Sequence, residues 1–100
     1  MTAKPIIRAI AETIGSLRTK GRLEAYVFGS VVNRKTATWS DIDLLIVCEL
    51  EVDGPLARNS LAELSDKFPI DLTIMLTEEE VELDFIRSER CRWLTSSKSR

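Results

Sequence analysis

Apolar residues recur along this chain with two different periods. Over residues 5–19, Ile6, Ile7, Ile10, Ile14 and Leu17 fall at helical spacing, and Pro5 suits a first helical position. Gly15 weakens this helix slightly, and Gly21 supplies its stop. A period of two follows. Leu23, Ala25 and Val27 take one face of a strand, while Glu24, Tyr26 and Phe28 take the other. That strand ends at Gly29-Ser30, where glycine lets the backbone bend and lets a ligand come close. Residues 31–40 carry Asn33, Arg34, Lys35, Thr36, Thr38, Trp39 and Ser40, which read as a short helical turn from Ser30 and then a loop.

The second half repeats the alternation. Residues 41–48 form a strand that opens with Asp41-Ile42-Asp43 and runs into the apolar Leu44-Leu45-Ile46-Val47. After a polar connection, residues 55–68 read as a helix, with Asp53 near its start and Leu56, Leu61, Leu64 and Phe68 as its inner stripe. Pro69 stops it. Residues 70–76 form a third strand, with Asp71 near its beginning. Thr77 and Glu80 make a capping box for a third helix over 78–87, with Val81, Phe85 and Ile86 turned inward. Residues 90–94 extend that helix or form a short edge strand. The Ser/Lys-rich tail from Thr95 is expected to fray. The pattern predicts one α/β domain over 1–100, a mixed sheet of three to four strands with flanking helices.

Element order brings the acidic residues together. A strand, helix, strand unit makes parallel neighbours with a right-handed crossover. Asp41 and Asp43 open one such strand and Asp71 opens the other. Positions i and i+2 of a strand share a face, so Asp41 and Asp43 project on one side and Ile42 on the other. If the first strand runs antiparallel to the second, Gly29-Ser30 arrives at the same edge as all three carboxylates. A carboxylate beside an apolar run is costly unless its charge is compensated, and a bound cation is the obvious compensator.

Composition narrows the chemistry. Fourteen basic and sixteen acidic residues leave a net charge of −2, which gives no footprint for general nucleic-acid binding. Cys48 and Cys91 form no Cys-x-x-Cys pair, and both read as small buried hydrophobes in a reducing cytoplasm. Pro5, Arg8 and Glu12 interrupt any signal-peptide core, and no apolar run approaches a membrane span. The chain contains no histidine. That removes Ser-His and Cys-His nucleophile pairs and disfavours zinc. What remains is carboxylates, hydroxyls, lysine, arginine or a metal held by oxygen.

The stretch GSVVNRKTATWSDID places Gly29-Ser30, then ten residues, then Asp41-Ile42-Asp43, ahead of the strand LLIV and of Asp71 in a later strand. This resembles the signature of the DNA polymerase beta nucleotidyltransferase superfamily, most closely its minimal nucleotidyltransferases. Asp-x-Asp or Gly-Ser alone would mean little; their spacing between two strands is what carries the likeness. The resemblance implies a palm-like nucleotidyltransferase fold. It implies two Mg2+ ions held by Asp41, Asp43 and Asp71, which form the catalytic set. It implies ATP as substrate, bound by Gly29, Ser30, Arg34 and Ser40. Val31 stands where many members carry a basic residue. Arg34 and Lys35 also read as solvated loop charges, and Trp39 as packing on the sheet rather than on a base.

The reaction so implied is transfer of a nucleoside monophosphate, AMP from ATP, to an acceptor hydroxyl. A domain this small leaves the acceptor to a partner chain or to a second copy. In the resembling family that partner is often a helical HEPN toxin, which the transferase neutralises as its antitoxin. The rival reading is a catalytically inactive member that neutralises a partner by contact alone. Terminal addition to RNA is a further rival that the acidic balance disfavours.

Overall fold

The computed structural model describes residues 4–29 and 42–99. In chain order the elements are α1 (Lys4–Gly15), β1 (Arg18–Thr19), β2 (Leu23–Phe28), β3 (Ile42–Cys48) and α2 (Asp53–Lys67). They continue with β4 (Ile70–Leu76), α3 (Thr77–Leu83), α4 (Phe85–Ser88), β5 (Arg92–Ser96) and β6 (Lys98–Ser99). The main sheet has the order β4-β3-β2-β5. β2 is antiparallel to both β3 and β5, whereas β3 and β4 are parallel, as a βαβ crossover requires.

Alternation decides what each sheet face meets. Leu23, Ala25 and Val27 of β2 and Ile42, Leu44, Ile46 and Cys48 of β3 are buried together with Ile6, Ile10 and Ile14 of α1 and Ala57 and Leu61 of α2. Helices α1 and α2 therefore cover one face, where the core lies. On the other face Leu45 is fully buried, and α3 contacts both β3 and β4.

Several helix predictions shift. Helix α1 ends at Gly15, and Arg18 and Thr19 form a short strand instead of its last turn. In α2 the small Ala57 is buried while Leu56, expected inward, is 39 % exposed. The helix starts two residues earlier than its proline suggested, and its buried stripe runs through Asp53, Gly54, Ala57 and Leu61. Val81, also expected inward, is 72 % exposed. The third predicted helix breaks at Asp84, which takes a left-handed conformation (φ 53°) and leaves α3 and α4 as separate short helices. The cap falls one residue early: the Leu76 N–H donates to the Glu79 carboxylate at 2.8 Å, so Glu79 serves in place of Glu80.

The tail does not fray. Thr95 and Ser96 pair with Ala25 and Glu24 in β5, and β6 runs parallel to β1. Residues 90–94 thus resolve to the edge-strand reading. Thr19 secures this closure. Its buried hydroxyl donates to the Gly21 carbonyl at 2.6 Å, which leaves the Ser97 hydroxyl, 2.7 Å away, to donate in turn.

Candidate functional site

β2 delivers Gly29 to the start of β3. Phe28 lies opposite Asp43 in the antiparallel register, so the next residue turns directly beside that carboxylate. Gly29 adopts φ +76°, the left-handed region that glycine occupies without strain. A Cβ added there would run into the Asp43 carboxylate. Glycine is required here both for the turn and for the close approach.

β3 and β4 then bring two acids side by side. The Ile42 N–H donates to the Pro69 carbonyl at 2.8 Å and aligns the two strand starts. The parallel register then places Asp43 opposite Asp71. Asp43 is half-buried and Asp71 exposed. Among the described residues Asp71 makes no ion pair. Like charges directly opposite one another destabilise a strand pair. The juxtaposition therefore favours any bound cation.

Phe28, on the same face as Asp43, meets Phe85 of α4 edge-to-face, with ring centroids 5.2 Å apart and planes at 88°. The left-handed break at Asp84 sets Phe85 there. The Glu80 carboxylate accepts from the Ile86 N–H at 2.9 Å and fixes the break. The sequence pattern gave Phe85 an inward position but no partner. The aromatic pair backs the strand end that carries Asp43 and Gly29.

Four of the sequence-predicted site residues, Ser30, Arg34, Ser40 and Asp41, lie outside the described residues. Among the described residues no group of three or more acidic, cysteine or histidine side chains clusters as a metal cage. The described members of the set are a pair. Two carboxylates from adjacent strands, on one sheet face, beside a turn with no Cβ, fit a hard divalent cation that takes one or two carboxylates plus water and phosphate oxygens. Two cavities of about 460 and 350 Å3 lie elsewhere, between α2 and β4.

A third aspartate does a different job. Asp53 is 1 % exposed, and its two oxygens accept from the Lys20 and Gly21 N–H groups at 3.0 and 2.9 Å. It does not cap its own helix. It holds the 20–21 turn, more than thirty residues back in sequence. Position alone had suggested only a helix start, and no local motif points to this role.

Burial disfavours the charged forms of one tyrosine and two cysteines. Burial, then the hydrogen bond to Glu24, pushes the Tyr26 hydroxyl up to about 12. Burial, then Glu89 and Glu80, pushes Cys91 up to about 11, and burial raises Cys48 as well. These thiols are suited to packing rather than to nucleophilic attack.

The family model described as polymerase beta, nucleotidyltransferase matches residues 16–91. That span runs from β1 through α4 and includes both described carboxylates and the glycine turn. Comparison with curated proteins gave no match, nor did comparison with solved structures. The mixed four-stranded sheet, the glycine turn against Asp43 and the family match converge, and the chain belongs to the polymerase beta nucleotidyltransferase family.

Proposed function

We propose that this domain transfers a nucleoside monophosphate, AMP from ATP, to a hydroxyl on a partner protein. The observation that carries the reading is the in-register pairing of Asp43 with Asp71 beside the Gly29 turn. Asp43, Asp71 and Asp41 would hold two Mg2+ ions, whose chemistry is to neutralise the triphosphate and stabilise the in-line displacement at phosphorus. The chain's own groups do the rest. The Gly29 turn admits the phosphates close to the backbone, and with Ser30 it offers N–H groups to their oxygens. Arg34 and Ser40 complete the nucleotide contacts. Asp71, exposed at the sheet edge, accepts the proton of the attacking hydroxyl. The acceptor oxygen bonds to the α-phosphorus, the bond to the bridging oxygen breaks, and pyrophosphate leaves.

The acceptor in this reading is a helical HEPN-type protein, neutralised by the adenylyl group, which makes the domain an antitoxin. Label transfer from α-labelled ATP to a co-expressed partner tests the reaction. Labelled partner with wild type and none with Asp43→Asn is the expected result. Tight partner binding that survives Asp43→Asn, with no label transferred by wild type, would replace it with the contact-only binder.

A further inference from the structure

The two edges of the main sheet are protected unequally. β5 carries a register shift against β2 between Ala25 and Tyr26 and exposes Arg92. Bulges and charges of this kind keep an edge from pairing with another chain. β4 has no such bulge, and its one charge, Asp71, lies on the face away from α2. Its register with β3 is unbroken from Ile70 to Leu76, and it has no lysine and no internal proline. Among the described residues no strand lies on its outer side. Its helix-facing row includes Ile70, Leu72 and Ile74, which are only half-buried.

The space above that row is open. The cavities of about 460 and 350 Å3 follow one another between α2 and β4, and Arg58 borders both. The second is also bordered by Ala62, Asp66, Ile70 and Leu72. Arg58 and Asp66 are both exposed and stand four residues on either side of Ala62. A helix with opposite charges placed symmetrically about a small residue is complementary to an antiparallel copy of itself.

We infer that two copies of this chain pair through β4. The strands meet antiparallel across a two-fold axis, giving a continuous eight-stranded sheet, and α2 packs on its symmetry mate over the groove. Arg58 of each copy faces Asp66 of the other, with Ala62 at the crossing. Paired strands lie about 4.8 Å apart and packed helices about 8–10 Å. α2 contacts both β3 and β4, so it lies over that strand pair and can meet its mate across the joined edges. The occupant is a second copy because the groove's charges match themselves under this symmetry.

The inference is independent of the transfer reaction, and its test needs no nucleotide. Sedimentation equilibrium over about a hundred-fold range of protein concentration should show a monomer–dimer equilibrium. R58D or D66R alone sets like charges face to face twice per dimer and should raise the dissociation constant at least about tenfold. The double reversal R58D/D66R should restore it. All three changes lie on an exposed helix face, and circular dichroism confirms that the variants fold. Amide exchange across residues 70–76 should slow as wild-type concentration rises and stay constant in the single variants. A single monomer mass throughout the range would overturn the inference. So would a dimer whose affinity ignores both reversals, since it must use another surface.

Discussion

Asp53 and the Asp43–Asp71 pair stand at opposite ends of the β3–β4 ribbon, and their surroundings differ in kind. Asp53 is enclosed, and both of its oxygens take backbone N–H groups from the 20–21 turn. Its charge is answered by the fold itself. Asp43 and Asp71 face one another across a parallel strand pair, beside a glycine that removes the last atom from their approach. The same residue type is enclosed by backbone donors at one end of the ribbon and stands at the strand starts, beside the glycine turn, at the other.

The largest effect that tests this contrast is on transfer. Asp43→Asn or Asp71→Asn should lower the rate by about a thousandfold or more, an amount typical of losing electrostatic stabilisation at the reacting centre. Asp71→Asn should leave the thermal midpoint unmoved or slightly raised, because it relieves a like-charge contact worth about 0.2–1 kcal/mol. A large drop in midpoint would put Asp71 in the same structural class as Asp53. Asp53→Ala should instead cost about 1–3 kcal/mol by stranding the buried Gly21 N–H and loosening the part-buried Lys20 N–H, roughly 5–10 °C in Tm. Asp53→Asn, which retains one acceptor oxygen, should lose less. Chemical denaturation reads both.

A smaller effect comes from the ion. Saturating Mg2+ should raise the wild-type Tm by roughly a few degrees through linkage, leave Asp43→Asn unmoved, and still act on any Asp53 variant that folds. An equal shift in the Asp43 variant would place the cation elsewhere.

The smallest expected effect is alkaline. Burial lifts Tyr26 from 10.0 to about 12, and Cys91 from 9.0 to about 11. Both are acids whose charged form the fold disfavours, so the unfolded chain releases their protons first. Their contribution is intact below about pH 9 and is lost as pH rises toward about 12. Tyr26→Phe and Cys91→Ser should each flatten that decline in stability-against-pH curves.

The sequence made some of this visible and hid the rest for physical reasons. Strand alternation and element order were enough to bring Gly29, Asp43 and Asp71 to one edge, because a βαβ unit and an antiparallel neighbour leave little choice of topology. Asp53 was invisible because its partners are backbone groups more than thirty residues away, and no side-chain pattern encodes them. Leu56 misled because it stands one position, about 100°, off the stripe of Gly54, Ala57 and Leu61 that packs inward, and side-chain size does not choose the buried face. Val81 misled because the short helix that carries it buries no residue. The tail misled because serine and threonine usually mark loose ends, whereas here Thr95, Ser96 and Ser97 find partners in β2 and beside Thr19. Asp41, Ser30, Arg34 and Ser40 lie outside the described residues, and their roles rest on the resemblance.

The pairing of β2 with β5 has a kinetic consequence. β2 acquires one neighbour from β3, some twenty residues downstream, but its other neighbour is residues 92–96. While the polypeptide is emerging from a ribosome, one flank of that central strand stays bare until nearly all of the domain has been made. Contacts so remote in sequence place folding toward the slow, millisecond-to-second range. Pairing with residues 92–96 covers the hydrogen-bonding groups on that flank of β2, which an unpaired strand edge would offer to other nascent chains.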